Sequence, residues 1–290
     1  MGIAMNTECI LCHLNKNIAT ARSLGDEETA TEFARELMKL HLSLPEGSNS
    51  ACLGPATNAL FTKYYGLDPD RYRKEKQEAN RFVLERLEQL RSRVQEAKDP
   101  VFAGLQFSIL GNYLDFSALY GEVSFDKLDE MLDNALNMPL DEVCYEKLRQ
   151  DLAKGKKLLY LTDNAGEIGF DRILGEVIHQ QYPDLEITFC VRGAPVLNDA
   201  TRADAEFMGI PFPVIDNGND LCGTELTLLG EEARKAMNEA DVIIAKGMGN
   251  TETLYGCGYP IYYAFLVKCP RFETVFQKPR MTPMLVREQK

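Results

Sequence analysis

The chain has 290 residues, 45% of them apolar and 26% charged, which fits a globular protein with one large core or two ordinary ones. Its formal charge of −12 argues against a nucleic-acid binder, which would show a basic face. No apolar run approaches the roughly 20 residues that a membrane helix requires.

The opening MGIAMNTECILC has neither a basic n-region nor a long apolar stretch, so no export signal is read and a cytoplasmic location is expected. CILCH at 9–13 matches the c-type haem pattern, yet covalent haem attachment follows export. A zinc site would need two more ligands, and no second CxxC exists; His13, Cys52 or a C-terminal cysteine could supply them. Cys9 and Cys12 are therefore candidates for a structural metal or for plain packing. The six scattered cysteines (Cys52, Cys144, Cys190, Cys222, Cys257, Cys269) read mostly as small buried hydrophobes and not as a disulfide framework.

Three segments then show helical periodicity. EETATEFARELMKLHL aligns Phe33, Leu37 and Leu40, and NRFVLERLEQLRSRVQEAK aligns Phe82, Val83, Leu87, Leu90 and Val94. FDKLDEMLDNALNM repeats the pattern with Leu128, Met131, Leu132, Ala135 and Leu136. PEGSNS, GLDPD and an Asp-Pro step at 99–100 mark turns between them. A helical bundle or cap is expected over residues 1–152. Within it, Asn112 and Asp115 of GNYLDF could reach into a cleft or bond one helix to another.

From Lys156 the texture changes. KLLYLT, EITFCV, PFPVI and DVIIA alternate with helical segments such as EIGFDRILGEVIHQQ, predicting an α/β core with a mostly parallel sheet over 153–290. Ligands of such sheets sit beyond the carboxyl ends of the strands. The four strands end in Asp163-Asn164-Ala165-Gly166-Glu167, in VRGAPVLNDAT with Arg192, Asn198 and Asp199, in IDNGNDLCGT with Thr224, and in AKGMGNTE with Lys246, Gly247, Gly249 and Asn250. One Asp-Asn or Asn-Gly pair is ordinarily a turn. Four at one sheet edge point to a site.

Oxygen ligands from Asp163, Asn164 and Asp199 suit a hard divalent cation such as Mg²⁺ or Mn²⁺. Zinc and a Ser-His-Asp triad are disfavoured, because His179 is the one histidine of this half and falls inside a predicted helix. Lys246 and Arg192, with glycine-flanked N–H groups, suit a phosphate. The combination points to phosphoryl chemistry. GMGNTE lacks the third glycine of a dinucleotide fingerprint, and no GxxxxGK[ST] exists. Ala165 stands where a haloacid-dehalogenase-type phosphatase needs an acid.

The early CxxC, LDPDRYRKEKQEAN at 67–80, GNYLDF, LTDNAGEIGFD, VRGAPVLNDAT, DNGND…GT and KGMGN together cover nearly the whole chain. In these motifs it resembles the metal-dependent damage-control phosphatases (domain of unknown function 89), most closely their stand-alone prokaryotic branch. That resemblance implies a Rossmann-like three-layer α/β/α core with an N-terminal helical region. It implies a divalent cation (Mn²⁺, Mg²⁺, Ni²⁺ or Co²⁺) held by Asp163, Asn164 and Asp199. Catalytic roles would fall on Asp163, Glu167 and Lys246, with Lys246 near the phosphate. Asn164, Glu167, Arg192, Asn198, Thr224, Gly247, Gly249 and Asn250 would line the substrate pocket. The expected activity is hydrolysis of small phosphorylated metabolites, with no nucleic-acid or membrane partner. The RTxK motif of the eukaryotic protein-like branch is absent, KPRMTPM standing near the end, so that branch's preference for fructose phosphates is not carried over. Two rival readings are a carboxyl-methyltransferase-like transferase and a non-catalytic protein that binds a phosphometabolite.

Overall fold

The computed structural model describes residues 2–116, 119 and 123–288. Helices α1 (Thr7–Leu24) and α2 (Glu27–Ser43) start where Asn6 and Asp26 accept the N–H groups of Cys9 and Thr29, at 3.1 and 2.8 Å. With α3 (Gly54–Tyr65) they enclose a small core of their own around Ala21, Phe33, Leu37 and Phe61. The longer α4 (Arg73–Gln95) follows, then α5 (Pro100–Gly111), α6 (Phe125–Asp133) and α7 (Glu142–Lys154). In α5 every residue from Ala103 to Gly111 is buried. A helix covered on all sides has no polar face, which is why PVFAGLQFSILG shows no stripe in the sequence.

The remaining elements are β1 (Lys157–Leu161), α8 (Glu167–Gln181), β2 (Glu186–Val191), α9 (Arg202–Phe207), β3 (Val214–Asp216), α10 (Glu231–Glu239), β4 (Val242–Lys246), α11 (Gly247–Leu254), β5 (Ile261–Leu266), α12 (Pro270–Phe276) and β6 (Pro283–Arg287). They form one sheet in the order β3-β2-β1-β4-β5-β6, parallel except for β6. β5 and β6 add two strands to the four legible in the sequence. Alternation along β1 sends Leu158 and Tyr160 to one face and Leu159 and Leu161 to the other. The first face packs Val83, Phe107, Ile173 and Leu174 from α4, α5 and α8. The second packs Met237, Leu254 and Phe272 from α10, α11 and α12. Three layers result, and the first joins residues from both sides of position 152. The change of texture there is a change of secondary structure, and the buried core runs straight through it.

This is the doubly wound order in which the chain moves outward from β1 in one direction and then from β4 in the other. The carboxyl ends of β1 and β4 therefore splay into a crevice. α1 and α3 form the opposite wall, and the amino terminus is pinned there by Ile3, which donates to the Glu252 carbonyl of α11 at 2.7 Å.

Candidate active site

Asp163 and Asn164 leave β1 at the crevice, and Gly166, at φ 76°, turns the chain into α8. A Cβ at Gly166 would lie 2.8 Å from that of Ala79, so α4 also requires the bare backbone. The loop after β2 locks onto this turn. Asn164 and Asp199 form an antiparallel bridge, Ala200 donates to the Asp163 carbonyl at 2.7 Å, and Ala165 donates to the Asn198 carbonyl at 2.9 Å. Two acids from separate strand ends are thereby fixed side by side.

Buried Arg192 ties them together. Its Nε donates to Asp199 at 2.7 Å, and Nη2 lies 3.6 Å from Asp163 Oδ1. Its Nη1 donates to Asn250 Oδ1 and to the Gly223 carbonyl. Asn250 also accepts from Thr224 and donates to the carbonyls of Thr162 and Lys246. Arg192, Thr224 and Asn250 were expected to line the pocket; these bonds make them the frame behind the acids.

Lys246 is placed differently from the expectation that it faces a phosphate. Its ammonium is fully buried and donates to Glu167 at 2.7 Å, Asp171 at 2.9 Å and the Ser108 carbonyl at 2.9 Å. All three donors are used. Burial alone would lower its pKa, but Asp171 and Glu167 hold it above the usual lysine range. Asn112 carries the chain of contacts forward, donating to both Glu167 oxygens and to Asp163 Oδ2 at 3.0 Å. The two alternatives for this residue resolve toward the site. Asp115 pairs with Lys268 at 2.7 Å, beside it.

The cluster thus holds four buried carboxylates, Asp163, Glu167, Asp171 and Asp199, against two cations, Arg192 and Lys246. Burial pushes Asp163 well above the ordinary carboxylate range, with Asp199 and Glu167 adding to the effect. Burial also lifts Asp199 to about 6 in spite of Arg192, and Asp171 to about 6 in spite of Lys246. Protons can neutralise such raised carboxylates, and a bound cation would take their place. Among the described residues, no three His, Cys, Asp or Glu side chains form a ready metal cage. The donor set is instead two carboxylates plus amides, all hard oxygen, and Asn198 Oδ1 is buried with no donor. Asn164 braces the arrangement, its Nδ2 on Asp163 and Glu167 and its Oδ1 accepting from Asn198. These residues fit a divalent cation.

A cleft of about 410 Å³ opens beside the cluster, within the usual size of a small-molecule site. Leu197, Cys222 and Met248 contribute from the strand ends, and Lys16, Arg71 and Arg271 line it with positive charge. Cys9 and Cys12 stand on its α1 wall, Cys9 half-buried and Cys12 exposed. His13 bonds to His41 at 3.0 Å and to Thr57 at 3.1 Å, and burial next to His41 holds its pKa down to about 4. A larger groove of about 1040 Å³ runs between α7 and β6 at the amino ends of the strands, away from these residues. Sequence reasoning missed Asp171, Lys268, Arg271, Lys16 and Arg71. Asp171 had a signal, an acid four residues after Glu167 inside an apolar helix. Lys268 and Arg271 had one too, because KCPR closes the all-buried strand β5.

A doubly wound sheet with an acid-rich oxygen site at its switch point, beside a cleft that carries several cations, defines the class as an α/β protein with a switch-point site. The family model of the damage-control phosphatase ARMT1-like domain matches residues 5–280, and the chain belongs to that family. It is 34% identical over 270 residues to a protein named damage-control phosphatase from Archaeoglobus fulgidus, covering 90% of this chain and 91% of the relative. It is 33% identical over 280 residues to an uncharacterized protein of Methanocaldococcus jannaschii, covering 92% and 90%. A crystal structure of a DUF89 family protein from Pyrococcus horikoshii superposes with a TM-score of 0.83 at 26% identity, over 99% of this chain and 100% of that one.

Proposed function

We propose that this protein is a cytoplasmic, metal-dependent phosphomonoesterase that hydrolyses small phosphorylated metabolites in the manner of damage control. The observation that carries the reading is the charge imbalance at the switch point, four buried carboxylates to two cations, behind a cleft whose lining includes Lys16, Arg71, Lys268 and Arg271. The names of the archaeal relatives support the activity class.

Asp163 and Asp199, with amide oxygen from the Asn164–Asn198 pair, would hold the cation. When bound, it would supply charge neutralisation for the phosphoryl group and an ordered site for attack. The chain's own residues do the rest. Asn112 and Asn164 fix the Asp163 carboxylate, and Arg192 fixes Asp199. Lys246 holds Glu167 in place from beneath. Arg271, whose Nε is buried without a partner, is the fork available to a phosphate oxygen. The space beyond β1, where a dinucleotide-binding protein keeps a glycine-rich turn, is filled by Asp163, Asn112 and Glu167, which weighs against a nucleotide-type methyl donor. A screen of Mg²⁺, Mn²⁺, Co²⁺ and Ni²⁺ against phosphorylated sugars and acids tests the proposal. Metal-stimulated phosphate release that Asp163→Asn abolishes supports it. Binding without release would instead make the protein a sensor.

A further inference from the structure

The helical wall opposite the acids carries a cation that has no ion-pair partner among the described residues. Arg71 lies just before α4, its guanidinium 4.4 Å from the Phe61 ring centroid and 5.6 Å from that of Tyr72. Its Nε is buried and lacks a hydrogen-bond partner, and among the described residues it joins no ion pair. Aromatic faces position such a group and partly offset its burial, but leave its in-plane donors open. Lys16 of α1 faces the same cleft, where burial lowers its pKa against the pull of Asp115, with Arg71 adding to the lowering. An anion in the cleft could accept from the unbonded Arg71 donor and offset the burial of the guanidinium.

We propose that Arg71, with Lys16 beside it, determines specificity by reading a second anionic group, a carboxylate or another phosphate, at the far end of the substrate. The preferred substrates are then compact phosphorylated acids, and the helical region is the specificity element. The inference rests on the phosphatase reading for the other end of the molecule. Size agrees: at about 30 Å³ for each water-sized group, the 410 Å³ cleft has room for about fourteen such groups.

Glycerol 3-phosphate and 3-phosphoglycerate share a three-carbon chain and differ by the terminal carboxylate. The wild-type protein, loaded with its activating metal, is expected to favour 3-phosphoglycerate by ~10-fold or more in kcat/KM, the yield of one charge-assisted pair. Arg71→Gln should remove that preference through KM, raising it several-fold more for 3-phosphoglycerate than for glycerol 3-phosphate. Lys16→Gln is an independent variant should loss of the Phe61 contact unfold the Arg71 segment, and it is expected to weaken the same preference. No wild-type preference, or equal losses on both compounds, overturns the inference while the phosphatase reading stands. If neither compound is hydrolysed, calorimetric titration with 3-phosphoglycerate still decides: weaker binding by Arg71→Gln sustains the inference, and equal binding overturns it.

Discussion

Gly247 has no side chain because the carboxylate of Asp163 occupies the place where its Cβ would stand. The glycine opens α11 at φ 78°, and an added Cβ would collide with the Asp163 carboxyl group. β1 and β4 meet here, so one glycine sets how close the acid comes to the α11 terminus. Gly247→Ala is expected to lose metal affinity by ~10-fold or more and stability by ~1–3 kcal/mol, combining a strained φ with a displaced ligand. Isothermal titration with Mn²⁺ and thermal denaturation check the two effects separately.

Asp163→Asn and Asp199→Asn should each cut metal-stimulated phosphate release by at least ~100-fold while leaving the fold intact. The metal-free variants should be no less stable than wild type near neutral pH. The folded pKa of Asp199, about 6, lies above its ordinary 3.8, so its contribution is fully present below the lower value and is lost as pH rises through the upper one. Melting curves of the chelated proteins from pH 5 to 8 should show the wild type losing ground to Asp199→Asn with rising pH. An Asp199→Asn protein that falls steadily behind as pH rises would mean the carboxylate is stabilising.

Lys246→Met should destabilise the protein by ~3–5 kcal/mol, the usual cost of leaving buried carboxylates without their partner. Glu167 and Asp171 would be uncompensated beneath the proposed metal site. Because the ammonium touches no open space, kcat should fall while KM for a simple phosphate ester changes little. A large rise in KM with unchanged melting temperature would return Lys246 to the phosphate pocket.

The parts of this site that the sequence revealed are those set by local pattern. Asp163 and Asn164 follow the apolar run of β1, Lys246 ends that of β4 and Asp199 lies in the loop after β2, where the strand-end rule for parallel sheets looks for a site. Their roles were harder to see. Lys246 and Arg192 look alike as single cations after strands, yet only packing decides whether a long side chain turns up to the ligand or down into the sheet. Asn112 was undecidable because α5 is apolar on every side, so periodicity gave it no inward face. Arg71 lies among turn residues in DPDRYR, and only the approach of Phe61 and α1 makes it part of a cleft.

Cys9→Ser/Cys12→Ser should keep the rate constant for phosphate release, because hard oxygen donors suit the cation and the thiols stand on the wall of the cleft. Elemental analysis before and after mutation tests a structural metal: loss of tightly held zinc would establish one. A folded double variant that binds its cation and is inert would bring the thiols into the mechanism.

Glu252 gives a pH dependence that can be separated from the acid cluster. It is half-buried on the cleft wall, five residues beyond Gly247, where Ser50 donates to its carboxylate and Arg271 is its nearby cation. Burial raises its pKa to about 7, against the opposing pull of Ser50 and Arg271. The folded protein then holds this proton more tightly than the unfolded chain does, so the associated stability is complete below about 4.5, the ordinary glutamate value, and disappears as pH rises through 7. Glu252→Gln stays neutral at every pH, and its carbonyl can still accept from Ser50. Melting temperatures of the two proteins should therefore nearly coincide at pH 5 and separate above pH 7, with the variant higher. The acid cluster is common to both and cancels in the difference. A constant offset across the range would show that Glu252 is ionised throughout and that its contact with Arg271 outweighs its burial.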